Sequence, residues 1–95
     1  MYHLNVWLTV KDTAQVGAIR ERLARACKMS REEPGCERFE VYQSQSDERR
    51  FLLVEWWESK AAWETHRQNR AVTEIYVPQV LPYVDREPHP STLLE

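Results

Sequence analysis

The feature that most constrains the fold is a strand-like segment, residues 50–57, which is apolar on both of its faces. Its alternating side chains fall into two sets, Leu52, Val54 and Trp56 on one face and Phe51, Leu53, Glu55 and Trp57 on the other. A strand that is apolar on both faces is expected to be covered on both sides. We expect helices over the face that carries Trp56, and the sheet of a second copy of the chain over the other. Glu55 would then lie in an enclosed space between two sheets.

The order of the remaining segments predicts an α+β fold of the ferredoxin-like βαββαβ type, with an antiparallel sheet. The predicted elements are a strand over 2–10, a helix capped by Asp12 and ended by the Glu33-Pro34-Gly35 run, strands over 36–44 and 50–57, a helix capped by Ser59, a short helical piece around 72–76 and a final edge strand within 77–87. Gln15 is placed to complete a capping box with Asp12. Helices in this fold cover only one face of the sheet.

Length and composition predict a single domain over residues 1–95, with a core at 2–87 and a C-terminal tail at 88–95 that is loose or clasps a partner. The net charge of −2 and the interspersed charges disfavour a nucleic-acid or membrane partner. No apolar run approaches the roughly 20 residues of a membrane span. The N-terminus lacks the pattern of a signal peptide, so we expect a cytoplasmic protein. Two cysteines provide neither a disulfide framework nor metal-site spacing.

Two runs, EPGCERFEVYQS and RFLLVEWWESKAAWETH, resemble the antibiotic biosynthesis monooxygenase domain family. The shared pattern is a Pro-Gly-Cys turn, a strand ending in Glu-x-Tyr or similar, and Glu-x-Trp-Glu-Ser followed by a helical histidine. The resemblance covers residues 2–87 and is densest over 33–66. It implies a dimeric α/β barrel with a mostly apolar cavity between each sheet and its helices. It also implies no cofactor, since members generally use no metal, flavin or haem and the substrate itself activates oxygen.

The resemblance assigns catalytic roles to His66 and Trp57. His66 can serve as a base or proton relay near neutral pH, or it can be a histidine hydrogen-bonded between helix and sheet. Trp57 lines the cavity or belongs to a subunit interface. Glu55 has three possible roles: general base, acceptor that orients a ligand, or one half of an ion pair with Arg38, since a buried unpaired carboxylate is costly.

Further side chains are predicted to contact a substrate. His3, Asn5 and Trp7 lie opposite the apolar stripe of the first strand and are expected to share the enclosed space with Glu55. Such a polar and aromatic row suits a quinone-like ligand, although an ordinary half-solvated strand face would look the same. Tyr42 and Tyr76 are the remaining predicted contacts, with Tyr76 closing the cavity from the second helical region.

The function that the family resemblance implies is that of a cofactor-independent monooxygenase, which oxidises a small aromatic, quinol or polyketide-like compound with molecular oxygen. Three alternatives stay open. One is a small-molecule binding or isomerising protein on the same fold. Another is a haem-degrading enzyme, because Asn5, Trp57 and His66 supply the residue types of some relatives. The third is a purely structural homodimer whose inter-sheet space is filled by side chains.

Overall fold

The computed structural model describes residues 1–95 and contains a four-stranded antiparallel sheet with helices packed on one face. The main elements are β1 (Tyr2–Val10), α1 (Val16–Arg31), β2 (Cys36–Gln43), β3 (Arg50–Trp57), α2 (Lys60–His66), a π-helical segment (Ala71–Val80) and β4 (Val84–Ser91), with single 3₁₀ turns at Thr13–Gln15 and Leu81–Tyr83. The strand order β2-β3-β1-β4 confirms the predicted ferredoxin-like fold. No helix combines the length and apolar character needed to cross a membrane.

Side-chain caps start the helical segments where the sequence predicts them. The Asp12 carboxylate accepts a hydrogen bond from the Ala14 backbone N–H at 3.0 Å. The Ser59 hydroxyl accepts one from the Ala62 N–H at 3.1 Å and so starts α2. Gln15 makes no capping hydrogen bond, so the predicted capping box is wrong. The Asp12 carboxylate bonds the N–H of Ala14, two residues on, whereas a capping box would bond the N–H of Gln15.

A tight turn at Gly35 joins α1 to β2 and brings it against α2. Gly35 has φ of +83°, a backbone conformation that a residue with a side chain rarely adopts. A Cβ atom added there would lie 2.8 Å from the Cβ of Ala62. The Gly35 carbonyl accepts a hydrogen bond from the Glu58 N–H at 2.7 Å. The turn therefore fixes the end of α1 next to the start of α2.

The register of the central strands decides which side chains face the helices. The main core consists of residues of β1, β3 and α1 together with Val80 and Val84; they are Leu4, Val6, Leu8, Val10, Val16, Ile19, Leu23, Phe51, Leu53, Val80 and Val84. Because Leu4 pairs with Glu55, Glu55 lies on the helix-covered face, and Trp57 follows it there. Trp56 lies on the opposite face. The expectations that Glu55 lies between two sheets and that Trp56 faces the helices are therefore wrong.

The C-terminal region differs from its prediction in two ways. Residues 77–83 are helical, so the last strand begins at Val84, later than the predicted segment. That strand pairs with β1 as far as Ser91, opposite His3. The sheet thus continues past residue 87, where the core was expected to end, and only residues 92–95 follow it.

Candidate active site

A cavity of about 230 Å³ lies between the helix-covered face of the sheet and the helical layer. This is where the family resemblance places a cavity. Most of its wall is apolar, contributed by residues such as Leu4, Phe39, Leu53, Val72 and Leu81. The polar side chains along its wall are Ser30, Glu55, His66, Arg67, Tyr76 and Arg86. An apolar cavity with a few polar groups is the usual form of a small-molecule site.

Glu55 is the buried carboxyl group of this cavity, with only 4% of the residue exposed. Burial raises its pKa from 4.5 to about 7, because the charged form loses its hydration. The indole Nε1–H of Trp57 donates a hydrogen bond to Oε1 at 3.0 Å and partly opposes this rise. The predicted ion pair with Arg38 is wrong, since Arg38 lies on the other face of the sheet and contacts Glu40 at 2.8 Å.

His66, at the C-terminal end of α2, is held between two carboxyl groups. Its Nδ1 lies 2.8 Å from Oε1 of Glu33, and its Nε2 lies 3.9 Å from Oε1 of Glu55. The Asn69 amide also donates to Oε1 of Glu33, at 3.2 Å, so that oxygen acts as an acceptor. We therefore assign the proton to Nδ1, which leaves the lone pair of Nε2 on the side of Glu55. Burial lowers the pKa of His66, while Glu33 opposes this effect.

Aromatic rings fix the position of the imidazole. The ring centroids of Trp57 and His66 are 4.4 Å apart, with 32° between the planes. Phe39 packs against the same imidazole at 5.7 Å. Trp57 is completely buried and is not among the residues that line the cavity. Its position lets it orient both His66 and Glu55 from behind the cavity wall.

Tyr76 and Arg86 lie at a more open part of the cavity. The Nε–H of Arg86 donates a hydrogen bond to the Tyr76 hydroxyl at 3.0 Å. Burial raises the pKa of Tyr76, while the Arg86 charge opposes the shift. Tyr76 lies in the cavity wall, and its contact with a substrate stays a prediction.

Four residues predicted to contact a ligand lie on the opposite face of the sheet; they are His3, Asn5, Trp7 and Tyr42. The even-numbered residues of β1 face the helices, so its odd-numbered side chains point outward. The expectation that the residues of β1 share a space with Glu55 is therefore wrong. The Asn5 amide instead donates to the Ser91 hydroxyl at 3.0 Å. A ligand-binding role for the four residues stays a prediction.

Sequence reasoning missed Glu33, Asn69 and Arg86. Glu33 belongs to the EPGC run, but its proximity to a proline and a glycine suggested only the end of a helix. Its contact with His66 joins residues 33 positions apart, and no local pattern reports such a contact. Arg86 faces the cavity because β4 pairs with β1 in a register that places it opposite Leu8, which is also on the helix side.

Comparisons with known proteins agree with the fold and identify the family. The sequence model of the family "Antibiotic biosynthesis monooxygenase" matches residues 1–76. Among curated proteins, none matches the chain. A Nitrosomonas europaea protein, provisionally named an antibiotic biosynthesis monooxygenase, is 25% identical over 100% of both chains, with a TM-score of 0.91. A similarly named protein from Deinococcus radiodurans is 24% identical over 100% of this chain and 94% of its own, with a TM-score of 0.84.

A more distant structure is a variant of SnoaB, a cofactor-independent oxygenase from Streptomyces nogalater. It is 12% identical over 99% of this chain and 93% of its own, with a TM-score of 0.84, and this likeness concerns the fold alone. The family match spans most of the chain and includes Glu33, Glu55, Trp57 and His66. The chain belongs to the antibiotic biosynthesis monooxygenase family.

Proposed function

We propose that this protein is a cofactor-independent oxygenase that introduces one oxygen atom of O₂ into a small hydroquinone-like compound. The observation that carries the proposal is the pair Glu55 and His66 in the wall of an apolar cavity. The pKa of Glu55 is about 7, so this carboxyl group can accept and return a proton near neutral pH. The Nε2 nitrogen of His66 is a second site that can carry that proton.

The proposed reaction begins with transfer of a phenolic proton to the Glu55 carboxylate. The resulting phenolate is electron-rich and passes one electron to O₂, and the two radicals combine to form a carbon–oxygen bond. As the oxygen–oxygen bond breaks, the ring carbon that bound oxygen loses its hydrogen as a proton, and one oxygen stays on the ring. The other oxygen leaves as water, with that proton and the proton returned from Glu55. A hydroquinone and O₂ thus give a hydroxyquinone and one water, and the substrate supplies all four electrons that O₂ accepts.

The surrounding side chains support this chemistry. Trp57 donates to Glu55 and holds its carboxylate at one position. The unprotonated Nε2 of His66 lies close enough to Glu55 to exchange a proton with it after a small movement. The apolar wall excludes water, which would otherwise compete for the proton and for reactive intermediates.

A second candidate function is an isomerase acting on a hydroxyketone. Two proton-carrying groups, Glu55 and His66, lie along one cavity, so a proton could leave one carbon and return at another without oxygen. The cavity argues against a purely structural module, because space for a ligand is present beside both residues. Asn5 lies on the opposite face from Trp57 and His66, which argues against the haem-degrading alternative.

Oxygen uptake with a panel of hydroquinones and anthrones tests the first proposal. We expect uptake above the uncatalysed rate with the wild-type protein, and a loss of about 100-fold in kcat with His66→Gln. Thr65→Ser, at the neighbouring exposed position, is the matched control and should retain full activity. The absence of uptake with every compound would overturn the oxygenase proposal. Turnover of a hydroxyketone without oxygen would then favour the isomerase.

We further propose that the protein forms a homodimer through the outer face of its sheet. That face carries four half-buried apolar side chains, Trp7, Leu52, Val54 and Trp56, over strands that no helix covers. A sheet face of this composition is expected to pack against another layer. The family resemblance points to a second copy of the chain as that layer.

A further inference from the structure

Two arginines at the cavity, Arg67 and Arg86, have no anionic partner. Both are exposed, and neither forms a salt bridge with a carboxylate of the chain. Arg67 lies over the ring of Trp63 at 5.1 Å, and Arg86 uses its Nε–H to contact Tyr76. The terminal nitrogens of Arg86 make no hydrogen bond within the protein. Two positive charges are therefore available to a group entering from solvent.

The distribution of charge along the cavity is asymmetric. Its buried part contains the carboxyl group of Glu55 and the imidazole of His66, whereas its exposed polar side chains are the two arginines. A planar guanidinium recognises a carboxylate through two parallel hydrogen bonds. A bound anion would thus be held by the exposed arginines, whereas Glu55 lies in the buried part of the cavity.

The size of the cavity limits the body of the ligand. An apolar cavity of about 150 Å³ holds benzene. A volume of about 230 Å³ therefore has room for one substituted ring. The apolar wall matches such a ring, and the buried polar pair matches one hydroxyl group on it.

From these observations we propose that the substrate is a single-ring hydroquinone that carries a carboxylate. Arg86 and Arg67 hold the carboxylate at the solvent-facing part of the cavity, and a ring hydroxyl reaches Glu55. This inference rests on the proposed oxygenase function and narrows it to one substrate class. It distinguishes acidic compounds from neutral ones.

Anaerobic calorimetric titration with 2,5-dihydroxybenzoate and 2,5-dihydroxybenzamide tests the inference, because the two compounds differ in charge at one substituent. We expect wild-type protein to bind the acid about tenfold more tightly than the amide. Arg86→Gln and Arg67→Gln should each reduce this preference, and the double variant should abolish it. Arg20→Gln, at an exposed position of α1 with no ion pair, is the control and should keep the preference.

Ionic strength provides a second measurement that needs no variant. Raising the salt concentration should weaken binding of the acid and leave binding of the amide nearly unchanged, since mobile ions screen exposed charges. Equal binding of the two compounds, binding of neither, or an equal loss for both in Arg86→Gln would overturn the inference.

Oxygen uptake, measured separately, distinguishes this inference from the proposed function. Selective binding of the acid without oxygen uptake would support the charge-recognising site and reject the oxygenase. Oxygen uptake at the same kcat/KM with acid and amide would reject the charge-recognising site and support the oxygenase.

Discussion

The Nδ1 atom of His66 lies 2.8 Å from Oε1 of Glu33, and this contact directs the opposite ring nitrogen toward Glu55 in the cavity wall. The two residues come from different elements, the turn after α1 and the end of α2. The contact gives His66 a defined tautomer and orientation. Glu33 is therefore a positioning residue, since it acts through His66 and does not line the cavity.

Glu33→Gln should lower the pKa of His66 further, because the negative charge that favours the imidazolium is removed. We expect kcat to fall by about tenfold with little change in KM, since His66 loses its fixed tautomer. An NMR titration of the histidine ring protons measures the first effect and steady-state kinetics the second. Glu32→Gln, at the adjacent exposed position, should change neither quantity. An unaltered His66 titration in the Glu33 variant would contradict the assigned contact.

Glu55→Gln should change how stability depends on pH. The pKa of Glu55 is about 7 in the folded protein and ordinarily 4.5. Between pH 4.5 and pH 7 the folded chain therefore holds more protons at this site than the unfolded chain does. The contribution of Glu55 to stability is therefore largest below pH 4.5 and falls as the pH rises toward 7, by about 3 kcal/mol in total. The glutamine side chain of the variant does not titrate. Urea unfolding should show that the free energy of unfolding of wild type, relative to that of the variant, falls by about this amount between pH 5 and pH 8.5. A difference between the two proteins that does not change with pH would contradict the burial of Glu55.

Gly35→Ala should destabilise the protein by about 2 kcal/mol, because φ is positive and the new Cβ would collide with Ala62. Activity should fall as well, since this turn positions Glu33. Gly17→Ala is the matched control: its added Cβ meets nothing within 4 Å, and the helix should gain about 0.5–1 kcal/mol. Thermal unfolding of the two variants gives both values. Equal melting temperatures of the Gly35→Ala and Gly17→Ala variants would contradict the strained turn at Gly35.

Val54→Asp should convert the proposed dimer to a monomer, since it places a charge at the centre of the outer sheet face, between Asn5 and Glu40. Ala61→Asp, on the exposed side of α2, is the control and should remain dimeric. Sedimentation equilibrium measures the mass of each. A wild-type protein that is monomeric at micromolar concentration would contradict the proposed interface.

The alternating patterns of β1 and β3 predicted both strands at their observed boundaries. The same patterns could not decide which face of β3 meets the helices, because both faces of that strand are apolar. That choice depends on the pairing of Leu4 with Glu55, and strand register is a tertiary property. The predicted face was wrong for this reason, and His3, Asn5 and Trp7 were placed with Glu55 by the same error.

The sequence identified single residues of the candidate site, but it did not identify contacts between residues of distant segments. His66, Trp57, Glu55 and Tyr76 were each identified from the family pattern or the helical spacing. Glu33 was missed as a partner of His66 because its position depends on the turn at Gly35 packing against α2. The late start of β4 was missed because the apolar residues before it suit a buried helix as well as a strand.

The pH dependence of oxygen uptake by wild type and Glu55→Gln, with a hydroquinone that turns over, tests the central claim most directly. We predict that kcat/KM for wild type rises as Glu55 ionises, with an apparent pKa near 7. The variant should be at least about 100-fold slower and should lack this rise after subtraction of the uncatalysed rate. A variant with wild-type kcat and the same pH profile would contradict the role of Glu55 as the base.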